Sequence, residues 1–185
     1  MKKLFAATAV IALSVLFFTG CKKAEKKSAA GTGSEETGSR LTRAHRINSN
    51  SNLKQIATML FIFEADNGRF PADLSELNLP GDLLTAPYDK KSKNGKSSYI
   101  YLPGRIKVTA LRAPGKFPAV IEDPRRLPEL STTLSVLFVD GHVESLNVSK
   151  VNESSPLDIA ELLISRMDNS DKEQFAAVIR KNAGK

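Results

Sequence analysis

Leu134-Ser135-Val136-Leu137-Phe138-Val139-Asp140-Gly141-His142-Val143-Glu144-Ser145-Leu146 is the stretch whose reading decides the fold. Two strand-like runs, 134–139 and 142–146, flank Asp140-Gly141. An Asp-Gly pair in that position is a strong local signal for an antiparallel hairpin. Upstream, 98–102 (Ser-Tyr-Ile-Tyr-Leu), 106–112 and 119–122 have the composition of further short strands, punctuated by Pro103-Gly104 and Pro114-Gly115. The prediction is a small antiparallel sheet of four or five strands.

A helix precedes those strands. Asn48-Ser49-Asn50-Ser51-Asn52 offers residue types that cap helix N-termini. From there to about Asp66, Leu53, Ile56, Ala57, Leu60 and Phe63 recur on one side at helical spacing, opposite Lys54, Gln55 and Thr58. Met59, Phe61 and Ile62 widen the apolar arc, as befits a helix packed against a sheet. Gly68 can close it in a left-handed cap, and Phe70-Pro71 sends the chain out extended. Leu74, Leu77 and Leu79 predict one short helical turn, closed by Pro80-Gly81. At the other end, Ser155-Pro156 starts a helix with the stripe Leu157, Ala160, Leu163, Ile164 and Met167. Ser170-Asp171-Lys172-Glu173 reads as a capping box for another through Phe175, Val178 and Ile179. One helix, then antiparallel strands, then helices define an α+β chain.

The N-terminus has a different character. Met1-Lys2-Lys3 is basic, and the apolar run 4–18 is shorter than the roughly 20 residues a membrane-spanning helix needs. It suits the core of an export signal. The run closes on Phe18-Thr19-Gly20-Cys21, and Cys21 is the one cysteine of the chain. That ending resembles the lipobox of bacterial lipoproteins, with Phe18 where leucine is usual. The resemblance implies cleavage before Cys21 and attachment there of a thioether-linked diacylglycerol and an N-acyl chain. Residues 22–46 hold charged and small residues with little to bury, and read as a flexible tether. The expected organisation is therefore signal peptide 1–20, tether 21–46, head 47–150 and helical extension 151–185.

A net charge of +7 over 185 residues invites a nucleic-acid or acidic-membrane reading. The distribution argues against nucleic acid. Residues 1–21 carry +2, residues 22–46 carry +4, and the remaining 139 carry only +1. The excess belongs to the export signal and the tether.

The head resembles a known family. Asn52-Leu53-Lys54-Gln55-Ile56 and Phe63-Glu64-Ala65-Asp66-Asn67-Gly68-Arg69-Phe70-Pro71 are similar to the end of the long helix in type II secretion pseudopilins. Val136–Val143 resembles the Asp-Gly-His-Val ending of prepilin-type proteins. The matches bracket residues 47–147 and imply a pilin-like head. Two features depart from that family. Residues 4–18 contain no charge, so the glutamate by which pseudopilins stack into filaments has no counterpart, and a lipobox stands where the prepilin peptidase site belongs. Leu130 also occupies the place of a histidine found in the related proteins.

Asp140, Gly141 and His142 form the most site-like group, because a carboxylate beside an imidazole can hold a metal or move a proton. The turn alone accounts for these residue types, so their expected role is structural. Asp66 and Asn67 lack the further acidic ligands of an EF-hand-like loop. Glu122 and Asp123 are adjacent and would point to opposite sides of a strand. Lys90, Lys91, Lys93 and Lys96 form a basic loop, expected to be solvated. No nucleophile elbow, phosphate-binding loop or dinucleotide fingerprint occurs. The expectation is thus a non-enzymatic protein without cofactor or metal, anchored in the bacterial envelope by lipid at Cys21, in the outer membrane rather than the inner. It would act by contact with envelope or secretion-system proteins, not with nucleic acid; the alternative is a surface lipoprotein that binds a carbohydrate or peptide.

Overall fold

The computed structural model describes residues 33–89, 96–129, 131–148 and 151–185. The export signal, Cys21, the first part of the tether, Lys90, Lys91, Lys93 and Leu130 lie outside the described residues.

The first element is a 35-residue helix, α1 (Gly33–Asn67). The expected apolar side is the buried one: Leu53, Ile56, Ala57 and Leu60 are inside, while Lys54, Gln55 and Thr58 are exposed. Gly68 ends the helix at φ +67, its N–H donating to the Glu64 carbonyl. The start corrects the sequence reading. Helical backbone runs through the Asn/Ser stretch and through residues 33–46, where a tether is expected from composition. The reason lies in where the polar side chains go. Ser49 is fully buried, with its hydroxyl bonded to partners on the sheet, and Asn52 Nδ2 donates to the Thr85 carbonyl at 3.3 Å. Tertiary bonds of this kind outweigh the few tenths of a kcal/mol per residue, roughly, that Ser and Asn cost a helix interior.

A short turn of 3-10 helix follows at Leu74–Leu77, capped by Asp73 and closed by Asn78 in the left-handed region at φ 48 rather than by Pro80-Gly81. The sheet has four antiparallel strands in sequential order: β1 (Tyr99–Tyr101), β2 (Pro118–Glu122), β3 (Thr133–Phe138) and β4 (Val143–Asn147). This is the α+β architecture predicted. Residues 106–112 are not the strand expected there. They form a 3-10 turn at Val108–Ala110, because the N–H groups of Ala110 and Leu111 bond locally to the carbonyls of Lys107 and Val108.

The hairpin between β3 and β4 also differs in detail. Phe138 N–H donates to the His142 carbonyl and Gly141 N–H to the Phe138 carbonyl, each at 2.9 Å. The loop is therefore Val139-Asp140-Gly141, with Gly141 alone at positive φ, +89. It is the longer hairpin type with a left-handed glycine at its end, not the two-residue turn that Asp-Gly suggests.

β2 is buried along its whole length, so both faces of the sheet are covered. Alternation places Tyr99, Tyr101, Val120, Glu122 and Leu137 on the side of α1. The other side is covered by α2 (Pro156–Arg166) and α3 (Asn169–Ala183). Ser155 and Asp158 form a reciprocal capping box on α2, and those bonds hold the Asp158 carboxyl below the usual range. Ile159 joins the buried stripe and Leu157, expected there, is exposed. α3 is capped by Asp168, not by Ser170. Asp171, read as part of that cap, is instead buried and accepts the N–H groups of Arg112 and Ala113 at 2.9 and 3.0 Å. Phe175 meets Phe117 edge-on at 5.4 Å, and Asn182 Nδ2 donates to the Leu102 carbonyl at 2.9 Å. α3 is thereby tied to the sheet at both ends. Val178, expected on its apolar side, is 37% exposed.

Candidate functional site

Two clusters of polar side chains stand out, one buried and one at the hairpin tip. The buried one centres on Glu122, the last residue of β2. The strand parity that puts Tyr99 on the α1 side puts Glu122 there too, opposite Ser49. Its Oε1 accepts from the Ser49 hydroxyl and from Tyr88 OH at 2.8 Å, and its Oε2 accepts the Ser135 N–H at 2.5 Å. Tyr99 OH lies 3.1 Å from the Ser49 hydroxyl. Burial pushes the Tyr99 phenol up to about 12 against the Ser49 bond, with the Glu122 charge adding to the rise. Burial also pushes Tyr88 up, reinforced by the same carboxylate. Both phenols are accordingly neutral donors under ordinary conditions.

Beside this cluster lies a cavity of about 30 Å³, lined among others by His45, Arg46, Thr133 and Ser135. The volume is that of about one water molecule, too small for a substrate. Ser135 Oγ is buried without a hydrogen-bond partner among the described residues. The carboxylate faces three donors and is 3% exposed. Its chemistry is spent on joining α1, the 88 loop, β2 and β3.

Next to it, Asp123 continues the chain but turns to other partners. It caps the turn Pro124–Arg126 and binds Arg125 through both oxygens at 2.8 and 2.9 Å. Arg126 bonds the buried Asp89 at 2.7 Å, and Ser98 donates to the same Asp89 oxygen at 2.7 Å. Glu122 and Asp123 thus turn to different partners.

At the tip, the predicted group is brought together. Asp140 Oδ1 accepts the His142 N–H at 3.2 Å and lies 2.5 Å from His142 Nδ1. The imidazole stacks flat on Phe138, ring centres 4.4 Å apart. Asp140 therefore closes the turn and orients the ring, leaving Nε2 as the nitrogen not engaged by the turn. Gly141 packs under α1: a Cβ there would lie 2.8 Å from Phe61 Cε2. Among the described residues no group of three or more His, Cys, Asp or Glu side chains is placed to hold a metal ion. No helix among them is long and apolar enough to cross a membrane.

The Glu122 cluster is the feature that pattern reading missed. A glutamate closing the apolar run Pro118–Ile121 was its one local signal, and the partners are spread from residue 49 to residue 135. No family model, curated protein or solved structure matches the chain.

Proposed function

We propose that the chain is a lipid-anchored envelope protein whose pilin-like head works by protein contact, as an accessory to a secretion or pilus apparatus. The observation that carries this reading is the sequence Phe18-Thr19-Gly20-Cys21 at the end of a short apolar run behind a basic start. A thiol at that place is acylated in proteins with this signal, and more than one acyl chain gives stable membrane attachment where a single chain is marginal. The outer membrane is the proposed address.

The form of α1 supports the reading. At 1.5 Å per residue its 35 residues reach about 50 Å, against about 20 Å for the longest strand beneath it. It begins at Gly33, within the segment expected as tether, and buries Leu53, Ile56, Ala57 and Leu60 in the head. Ile47 and Ile62 are more than half exposed on it. A stalk that sets a folded head at a distance from a bilayer, with apolar side chains outward, suits a protein that meets other proteins.

Photo-crosslinking in living cells from position Ile62 tests the contact. Recovery of envelope proteins of a secretion or pilus system is expected. Recovery of no envelope protein overturns the proposal.

A further inference from the structure

Glu122 has one acceptor position left over. A carboxylate offers about four lone-pair positions, two on each oxygen. Oε1 fills its own with the Ser49 and Tyr88 hydroxyls, whereas Oε2 takes one donor, the Ser135 N–H. The remaining position on Oε2 belongs to a side chain almost wholly removed from solvent. A buried charge with an unfilled position is costly.

A second polar atom in the same place is without a direct partner. Ser135 is 1% exposed, and its Oγ bonds to none of the described residues. A hydroxyl both donates and accepts, so it can complete a bond in either direction. The register Val120↔Leu137 and Ile121↔Val136 carries Glu122 to a place opposite Ser135. Side chains directly opposite on one face of a sheet are neighbours. The two unfilled groups therefore lie close together.

Both residues line the cavity of about 30 Å³, together with Thr133 and, from α1, His45 and Arg46. A space of this size admits about one water molecule and no organic ligand. The walls narrow the occupant further. The open position on Oε2 calls for a donor, and the carboxylate charge repels an anion. Among the described residues no group of three or more His, Cys, Asp or Glu side chains is placed to hold a metal ion.

We propose that this cavity binds one structural water, which donates to Glu122 Oε2 and bonds the Ser135 hydroxyl. One molecule then completes both the carboxylate and the buried hydroxyl. Ser135 is held to Glu122 twice, directly through its N–H and by way of the water through its Oγ. The inference is independent of the protein-contact reading, and neither outcome bears on the other.

Crystals of the protein purified from producing cells, at a resolution that shows ordered solvent, test the site. One density peak is expected within hydrogen-bond distance, about 2.7–3.2 Å, of both Glu122 Oε2 and Ser135 Oγ. Ser135→Ala leaves the water its bond to Oε2, so the peak should remain there. Ser135→Val fills the space with methyl groups, and the peak should be lost while the circular dichroism stays unchanged. The parent crystal decides by itself if Ser135→Val does not fold. No density between the two atoms in the parent, a Ser135 hydroxyl bonded instead to a protein carbonyl, or a peak that persists in Ser135→Val overturns the inference.

Discussion

Ser49, in the middle of α1, donates its hydroxyl to Glu122 at the end of β2, and both residues are buried. With the contact between the Ser49 hydroxyl and Tyr99 OH, this bond joins the helix to the sheet within a largely apolar interface. Removing the carboxylate strands the Ser49 and Tyr88 hydroxyls and the Ser135 N–H together. Glu122→Ala is expected to cost about 3 kcal/mol, and Tyr88→Phe about 1 kcal/mol. Ser135 contributes its backbone N–H, not its unpartnered hydroxyl, so Ser135→Ala should stay within about 0.5 kcal/mol of the parent. Urea denaturation of the three variants measures this order.

Gly141 serves two needs at once, the left-handed turn and the approach of Phe61. Gly141→Ala should cost about 2 kcal/mol, from the positive φ and from a Cβ placed against the ring. Phe61→Ala removes the ring but not the backbone strain. The double variant should therefore recover roughly half of the Gly141→Ala loss, a coupling of about 1 kcal/mol in a double-mutant cycle.

All three tyrosines, Tyr88, Tyr99 and Tyr101, have phenols pushed above the ordinary value chiefly by burial, Tyr99 to about 12. The unfolded chain loses these protons near pH 10, before the folded chain does. Between those values the unfolded state binds fewer protons, so stability falls as pH rises. The contribution is complete below about pH 10 and is lost through about pH 12. Tyrosinate absorbance should rise together with loss of secondary structure, in one transition. An early, separate tyrosine titration in the native state would contradict the burial.

At α3 the two aspartates have separate jobs. Asp168→Ala removes the N-cap and should cost about 1 kcal/mol. Asp171→Ala leaves two backbone N–H groups of the 112–113 loop unpaired and should cost about 2 kcal/mol or more. Ser170→Ala should be nearly silent. Thermal unfolding followed by circular dichroism distinguishes these from the reverse order that a Ser170 cap would give.

What the residues disclose in advance follows from how local each cause is. The hairpin around Asp140-Gly141, the buried side of α1, the stop at Gly68 and the helix start at Ser155 depend on neighbours within a turn or two, and each was legible. The start of α1 was not, because Ser49 and Asn52 look like caps until their partners on Glu122, Tyr99 and Thr85 are known. Residues 106–112 have strand composition, but the N–H groups of Ala110 and Leu111 bond locally and that of Arg112 goes to Asp171. Asp171 resembles a cap until the 112–113 loop is seen beside it. The Asp140–His142 pair was readable as a turn, whereas the Glu122 cluster draws on residues 49, 88, 99 and 135 and leaves almost no trace along the chain.

The central claim concerns Cys21, and the mass of the mature N-terminal peptide from membranes of producing cells tests it most directly. The account predicts a chain beginning at Cys21 and carrying acyl-chain mass on that residue, with Cys21→Ser neither processed nor acylated. A mature protein that retains residues 1–20, or that begins elsewhere with Cys21 unmodified, would contradict it.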